Sequence, residues 1–332
     1  MVTSRDVARL AGVSQATVSR AMSPKSSISA NARERVLTAM LSLNYVPHAG
    51  ATTMKTQRTN TIGMVVSDLS NPFYFQVLDV FTQEVARAGF RVVIWNTARG
   101  SQDDALKAIR ERAVDGVAFT TATRETAELK AAVERNSPIV LINRSVEGID
   151  CDQVTGSNRT GGALVADYFV AHGKTHVALI SGLVSTSTAQ ERSEGFLLRM
   201  EKLGHPVPSS LQLNAHYSHD KCVTVTQALL DMPLPPEAIF CANDFMAFGA
   251  LDALRANGLS APVDCWIVGY DDVAPAAWSS LDLTTVHQPT AKMARHGARL
   301  LLSRIADPDR VVEHRVFPCR LVVRGSTGHA PV

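Results

Sequence analysis

Gln15, Ala16, Thr17, Ser19 and Arg20 occupy the outward faces of a short helical segment, Gln15 to Ala21, whose Val18 and Ala21 share one apolar face. Gln and Arg side chains on such a helix can reach base edges in a DNA major groove. The charge distribution supports that chemistry. Residues 1–58 hold eight Lys or Arg against only Asp6 and Glu34, a balance of +6, while the rest of the chain carries −4. A basic head on a mildly acidic body fits a polyanionic partner for the head. The plain alternative is a helical hairpin with a polar, solvated outer face. Catalytic signatures are weak by comparison. Gly173-Lys174-Thr175 looks like part of a phosphate loop, but Tyr168 stands where that loop requires its first Gly, and the motif follows a helix rather than a strand. The run Gly156 to Gly162 is glycine-rich but lacks dinucleotide spacing, and reads as a turn into a helix. No G-x-S-x-G elbow and no H-E-x-x-H occur. The five cysteines form no C-x-x-C pair and no zinc spacing, so they read as reduced packing thiols of a cytoplasmic protein with no metal or other cofactor. The expectation is a binding protein, not an enzyme.

The elements that must position the Gln–Arg face follow from capping and periodicity. Ser4 can cap a first helix with Val7, Ala8 and Ala11 on its apolar side, and Gly12 suits the tight turn after it. Ser14 caps the second helix. Two short helices joined by a tight Gly turn, with Ala8 and Val18 at the crossing, make a helix-turn-helix. A third amphipathic helix follows from Ser29, with Val36, Leu37, Met40 and Leu43 expected inward, and Pro47 ends it. From Thr61 the pattern changes to apolar strand-like runs, Ile62–Val66, Val92–Ile94, Val117–Phe119, Ile139–Ile142, Val177–Ile180, Ala238–Cys241 and Trp266–Val268, with helix-length amphipathic segments between them. That alternation predicts doubly wound parallel sheets, and the length of the segment favours two lobes. The fold class expected is an all-α helix-turn-helix head on a two-lobed α/β body whose ligand crevice lies at the carboxyl ends of the strands. No apolar run reaches the length of a membrane helix, and Met1 to Asp6 opens no signal-like apolar region, so neither a membrane nor export is expected.

The head motif resembles the lac repressor (LacI/GalR) family, through Thr3-Ser4-Arg5-Asp6-Val7-Ala8-Arg9-Leu10-Ala11-Gly12-Val13-Ser14, Thr17-Val18-Ser19-Arg20 and Leu43-Asn44-Tyr45-Val46-Pro47. The resemblance extends along almost the whole chain. It implies a head over 1–46, a hinge over 47–59 and a body over 60–328. One lobe would hold about 60–158 and 289–317, the other about 159–288 and 318–328. It implies a homodimer on a pseudo-palindromic operator, with Gln15, Ala16 and Arg20 reading bases. Thr3, Ser14, Thr17, Ser19, Tyr45, His48, Thr52 and Met54 complete the DNA-facing set. Met54 would serve as an apolar minor-groove wedge, and the Gly50, Thr52 and Thr53 of the hinge favour a segment that folds only on the operator. The body would resemble a periplasmic sugar-binding protein, with an effector in its cleft. Carried over position by position, Phe73, Tyr74 and Tyr217 would stack on the effector. Arg192 and Asp271 would hold its polar groups, and Asn143, Arg144, Asn243 and Gln288 would complete the site. A sugar fits such a set, and so does a nucleobase or nucleoside. Asn143 departs from the Asp common in the family, which leaves the choice of effector open. Gly325 to Val332 carries no heptad helix, so a dimer rather than a helix-bundled tetramer is expected.

Overall fold

The computed structural model describes residues 2–22, 28–46, 58–97, 103–123 and 127–328. They form two compact units, divided between Thr59 and Asn60. The first unit holds three helices: α1 (Ser4–Ala11), α2 (Gln15–Ala21) and α3 (Ala30–Ser42). The cap of α1 is Thr3, one residue earlier than the sequence reading placed it. Thr3 wins because Asp6 lies three residues on. The Thr3 amide and hydroxyl both donate to Asp6 Oδ2, at 3.0 and 2.7 Å, and the carboxylate sits at the positive end of the helix. Ser4 is left to accept a hydrogen bond from Gln15 Nε2 at 2.7 Å, which ties the first helix to the second. Gly12 takes the left-handed conformation (φ 62°) that turns the chain between them. Ser14 caps α2 by accepting from the Thr17 amide at 3.1 Å. Val7, Ala8, Ala11, Val18, Ala21, Val36 and Ala39 form the buried core of this unit, with Met40, Leu43 and Tyr45 packed at its edge. Leu37 does not join them and is 47% exposed. Val36, Ala39, Met40 and Leu43 already make the i, i+3, i+4, i+7 stripe, and Leu37 lies about 100° off it.

The second unit contains two six-stranded sheets. The first comprises β1 (Thr61–Val66), β2 (Arg91–Asn96), β3 (Gly116–Phe119), β4 (Ile139–Ile142), β5 (Asp152–Gly156) and β11 (His314–Phe317), all parallel, in the order β11-β5-β4-β3-β1-β2. Helices α4 (Pro72–Arg87), α5 (Asp103–Arg110), α6 (Ala127–Glu134) and α11 (Thr290–Ala306) accompany it. The second comprises β6 (Val177–Ser181), β7 (Gln212–Asn214), β8 (Ala238–Cys241), β9 (Trp266–Asp271), β10 (Thr284–His287) and β12 (Arg320–Val322), in the order β12-β10-β9-β8-β6-β7. It is flanked by α7 (Asn158–Ala171), α8 (Ser187–Lys202), α9 (His219–Leu230) and α10 (Asp244–Ala256). Only β12 runs antiparallel to its neighbour. The chain passes between the sheets three times, after β5, after β10 and after β11.

The seven apolar runs of the sequence are all strands, and five more strands were not legible there. Three of these, β7, β11 and β12, are sheet-edge strands with exposed or half-buried residues. Strands β5 and β10 are buried but polar. Asp152 at the start of β5 is fully buried, and is held by Arg304 at 3.1 Å, Arg310 at 2.9 Å and the Glu313 amide at 2.9 Å. That neutralisation lets a carboxylate begin an interior strand. Cys151, Cys222, Cys241 and Cys265 are buried free thiols, and burial pushes Cys151 and Cys265 up to about 12, so both stay protonated. Among the described residues no helix is long and apolar enough to cross a membrane.

Candidate functional site

Parallel strands bring their carboxyl ends to one side of each sheet, and the loops that leave those ends converge here. In the first sheet β1 lies between β2 and β3, so consecutive connections depart in opposite directions and leave a crevice. In the second sheet β6 lies between β7 and β8 in the same way. The loops after β1, β3 and β4 and those after β6, β7, β8 and β9 line a single cavity of about 580 Å³. That volume is in the range of small-molecule sites.

A buried charge pair forms its floor. Arg192 on α8 and Asp271 at the end of β9 are 2% and 4% exposed, and Arg192 Nη2 lies 3.1 Å from Asp271 Oδ1. Arg192 Nε donates to Asn158 Oδ1 at 3.0 Å and Nη1 to the Ala242 carbonyl at 2.6 Å. Its guanidinium stacks 3.7 Å above the Tyr270 ring. Burial is the largest influence and opposes the charge on Arg192, but Asp271 and the other groups around it together outweigh burial, so the guanidinium stays protonated. Burial raises Asp271 to about 6, with Arg192 and the hydrogen bond from Gln288 pulling the other way. Two glycines set the position of Arg192. A Cβ on Gly162 of α7 would run into the Arg192 carbonyl oxygen, and one on Gly195 of α8 into the backbone of Arg159. Their absence lets α7 and α8 pack backbone to backbone. The side chains at the cavity are also held by strained backbone, since Asn143, Tyr217 and Asp271 have φ of 76°, 63° and 116°. Such conformations persist only where the surroundings enforce them, and they cluster at ligand sites.

Eight of the nine residues assigned to an effector from the sequence line this cavity: Phe73, Tyr74, Asn143, Arg144, Arg192, Tyr217, Asn243 and Asp271. Gln288 does not. It lies behind the floor, in the crossing between β10 and α11, where its Nε2 donates to Asp271 Oδ1 at 2.7 Å and Asn143 Oδ1 at 3.4 Å. Its role is to hold Asp271 and to link the loops of the two sheets. Asn243 has only part of its amide to offer, because its Oδ1 caps α10 by accepting from the Met246 amide at 2.9 Å. Phe73 and Tyr74 meet edge to face with centroids 5.4 Å apart. The Tyr217 hydroxyl lies 2.9 Å from Thr188 Oγ1. Arg144 donates to the Thr121 carbonyl at 2.9 Å. The sequence reading passed over Asn158 and Tyr270, which orient Arg192, and over Thr121, Thr188 and Phe245, which line the cavity. A rule that takes the first residues after every strand would have found Thr121. Thr188 and Tyr270 carry no such signal.

The head carries the residues that the sequence reading assigned to DNA. Thr3, Ser14, Gln15, Ala16 and Arg20 are exposed, Thr17 and Ser19 half-buried. Ser14 is partly engaged at the cap, 2.9 Å from Thr17 Oγ1. Tyr45 is half-buried against the head core rather than standing free. His48, Thr52 and Met54, with most of the expected hinge, lie outside the described residues.

Comparison with known proteins finds matches to both units of the chain. Residues 3–48 match the model of bacterial regulatory proteins of the lacI family, and residues 166–327 match the periplasmic binding protein-like domain. The HTH-type transcriptional repressor PurR of Vibrio parahaemolyticus is 33% identical over 98% of each chain. The ribose operon repressor of Escherichia coli is 30% identical over 98% of this chain and all of its own. The solved structure of the lac repressor dimer bound to operator and the anti-inducer ONPF superposes with a TM-score of 0.85 at 27% identity, over 99% of both chains. The match runs through head and body alike, and this chain belongs to the lacI family of bacterial regulatory proteins.

Proposed function

We propose that the protein is a transcription regulator, most simply a repressor, that binds a pseudo-palindromic operator as a homodimer in the cytoplasm and responds to a polar small molecule in the body cavity. The observation that carries the reading is the cavity itself. Loops of both sheets line it, with Asn143 and Arg144 from the first facing a site shared with Arg192, Tyr217 and Asp271 from the second. A ligand touching both sets has different contacts in open and closed arrangements of the two lobes, and only such differential affinity can shift a conformational equilibrium. The three crossing segments then act as the pivot. Near-complete switching requires about 10⁴-fold preference for one arrangement. Aromatic faces beside convergent hydrogen-bonding groups suit a sugar or sugar derivative.

On the DNA side, Gln15, Ala16 and Arg20 read bases, while the capped amino ends of the head helices and the basic surface neutralise phosphates. The segment 47–59 is the hinge, with Met54 as its wedge, and it couples lobe movement to operator affinity. The experiment is selection from a random DNA pool by the purified protein, followed by operator titration over a salt series. A two-fold symmetric consensus is expected, with a log–log salt slope of about 0.9 per phosphate neutralised. Recovery of no consensus sequence would remove the reading.

A further inference from the structure

The two arginines of the cavity differ in a way that bears on the ligand. Arg192 has a carboxylate, a side-chain amide, a carbonyl and an aromatic face around its guanidinium. Arg144 is only 6% exposed, yet no carboxylate of the described residues pairs with it. Its single hydrogen bond goes from Nη1 to the Thr121 carbonyl, and its buried Nε has no partner. Thr121 Oγ1, in the same part of the cavity, is likewise buried without a partner. The neighbouring residue, Asn143, is neutral. Two further carboxylates line the cavity, Asp68 and Asp220, but both are exposed at its margin. Asp68 already accepts from the amide and hydroxyl of Ser70, and Asp220 from His219. The buried charged residues that line the cavity are therefore Arg144, Arg192 and Asp271, two cations to one anion.

An arginine kept for structure alone has its donors satisfied, because leaving buried N–H groups unpaired is costly. The planar fork of Arg, by contrast, matches phosphate and carboxylate oxygens in pairs. We propose that the effector carries an anionic oxygen group, a phosphate monoester or a carboxylate, which docks on Arg144 beside Thr121 while its hydroxylated body reaches the Arg192–Asp271 pair. The proposal rests on the reading of the cavity as the effector site and narrows it to a phosphorylated or acidic sugar derivative. It also assigns the groups by sheet. The anion belongs to the loops after β3 and β4, and the polar body to those after β8 and β9.

The test uses the full chain and matched ligand pairs at constant ionic strength: ribose with ribose 5-phosphate, glucose with glucose 6-phosphate and with glucuronate, and inorganic phosphate alone. Binding is read by thermal shift and calorimetry. Inorganic phosphate should stabilise the wild type saturably, and an anionic sugar should bind about ten- to hundredfold more tightly than its neutral parent. The order of glucose 6-phosphate and glucuronate separates the two sources of the anion. In Arg144→Gln the ratio of anionic to neutral affinity should fall below about threefold, whatever the change in the neutral parent, and Arg144→Lys should restore only part of it, since the ammonium lacks the fork. Neutral parents binding as tightly as their anionic partners in the wild type would overturn the proposal. So would failure of every anion, phosphate included, to stabilise the protein, or an unchanged preference in Arg144→Gln. A neutral sugar that binds and alters operator affinity would remove the anion while leaving the regulator reading intact. That reading falls on a separate readout, the absence of sequence-selective DNA binding.

Discussion

Replacing Arg192 by Met keeps most of the side chain's apolar length but removes the charge under the cavity. Asp271, 4% exposed, then loses its counter-charge, and Asn158 Oδ1 and the Ala242 carbonyl lose their donors. Removing one member of a buried ion pair costs about 3–5 kcal/mol, mostly the penalty of the stranded partner. Loss of the stacking on Tyr270, now 3.7 Å below the guanidinium, adds to it. For a chain of this size the loss corresponds to roughly 4–7 °C in Tm. The cost belongs to the stranded carboxylate, so the double variant Arg192→Met/Asp271→Leu should recover at least about 2 kcal/mol relative to Arg192→Met. Chemical denaturation of the wild type, both single variants and the double variant at pH 7.5 measures the cycle. A single variant within about 1 kcal/mol of the wild type would refute the reasoning, as would a double variant whose loss equals the sum of the singles. The outcome also governs how ligand data are read, since lost response in an Arg192 variant includes this structural term.

Three further outcomes follow from the same geometry. Asp271 holds its proton to about 6 in the folded chain against an ordinary value of 3.8, so between those values the folded state binds more protons than the unfolded one. Its contribution to stability therefore falls by about 2 kcal/mol as pH rises from about 4 to 6; wild type measured against Asp271→Asn should lose that much across the window, and a flat difference would contradict the burial argument. Gly162→Ala should cost about 1–3 kcal/mol and weaken ligand binding by displacing Arg192, whereas Gly173→Ala, with open space around it and φ 72°, should cost about 1 kcal/mol of backbone strain and leave the ligand alone. Arg20→Ala should relax discrimination at one base pair per half-site by roughly 1–3 kcal/mol; an unchanged consensus in a repeated DNA selection would take Arg20 out of base reading.

Much of this fold could be read from residue type and spacing because the signals are local. Ser14, Gly12 and the Val18 face report a capped helix-turn-helix within a few residues of one another, and seven strands announce themselves as apolar runs. Where polar residues carry buried structure, locality fails. Strand β5 reads as loop until Arg304 and Arg310, far along the chain, are seen to neutralise Asp152. Thr284 and Thr285 enter the interior only because Ser326, Thr327 and Asp244 satisfy their hydroxyls and amides. In the head, choosing Thr3 over Ser4 as the cap required weighing Asp6 three residues on. At the cavity, the residues came into view through the resemblance, but their division of labour did not. Arg192 and Asp271 satisfy one another first, Gln288 supports rather than lines, and Arg144 keeps donors to spare.

On the proposed function, the cavity and the operator face report to one another. Linkage makes it measurable, because a ligand that changes operator affinity by some factor must have its own affinity changed by the operator by the same factor. Operator Kd with and without saturating ligand, and ligand Kd with and without saturating operator, should give two factors equal within error and between about 5 and 150, the range of ordinary coupling energies. A ligand that binds the cavity, loses affinity in Arg144→Gln and Asp271→Asn, and yet leaves operator Kd unchanged would contradict the account.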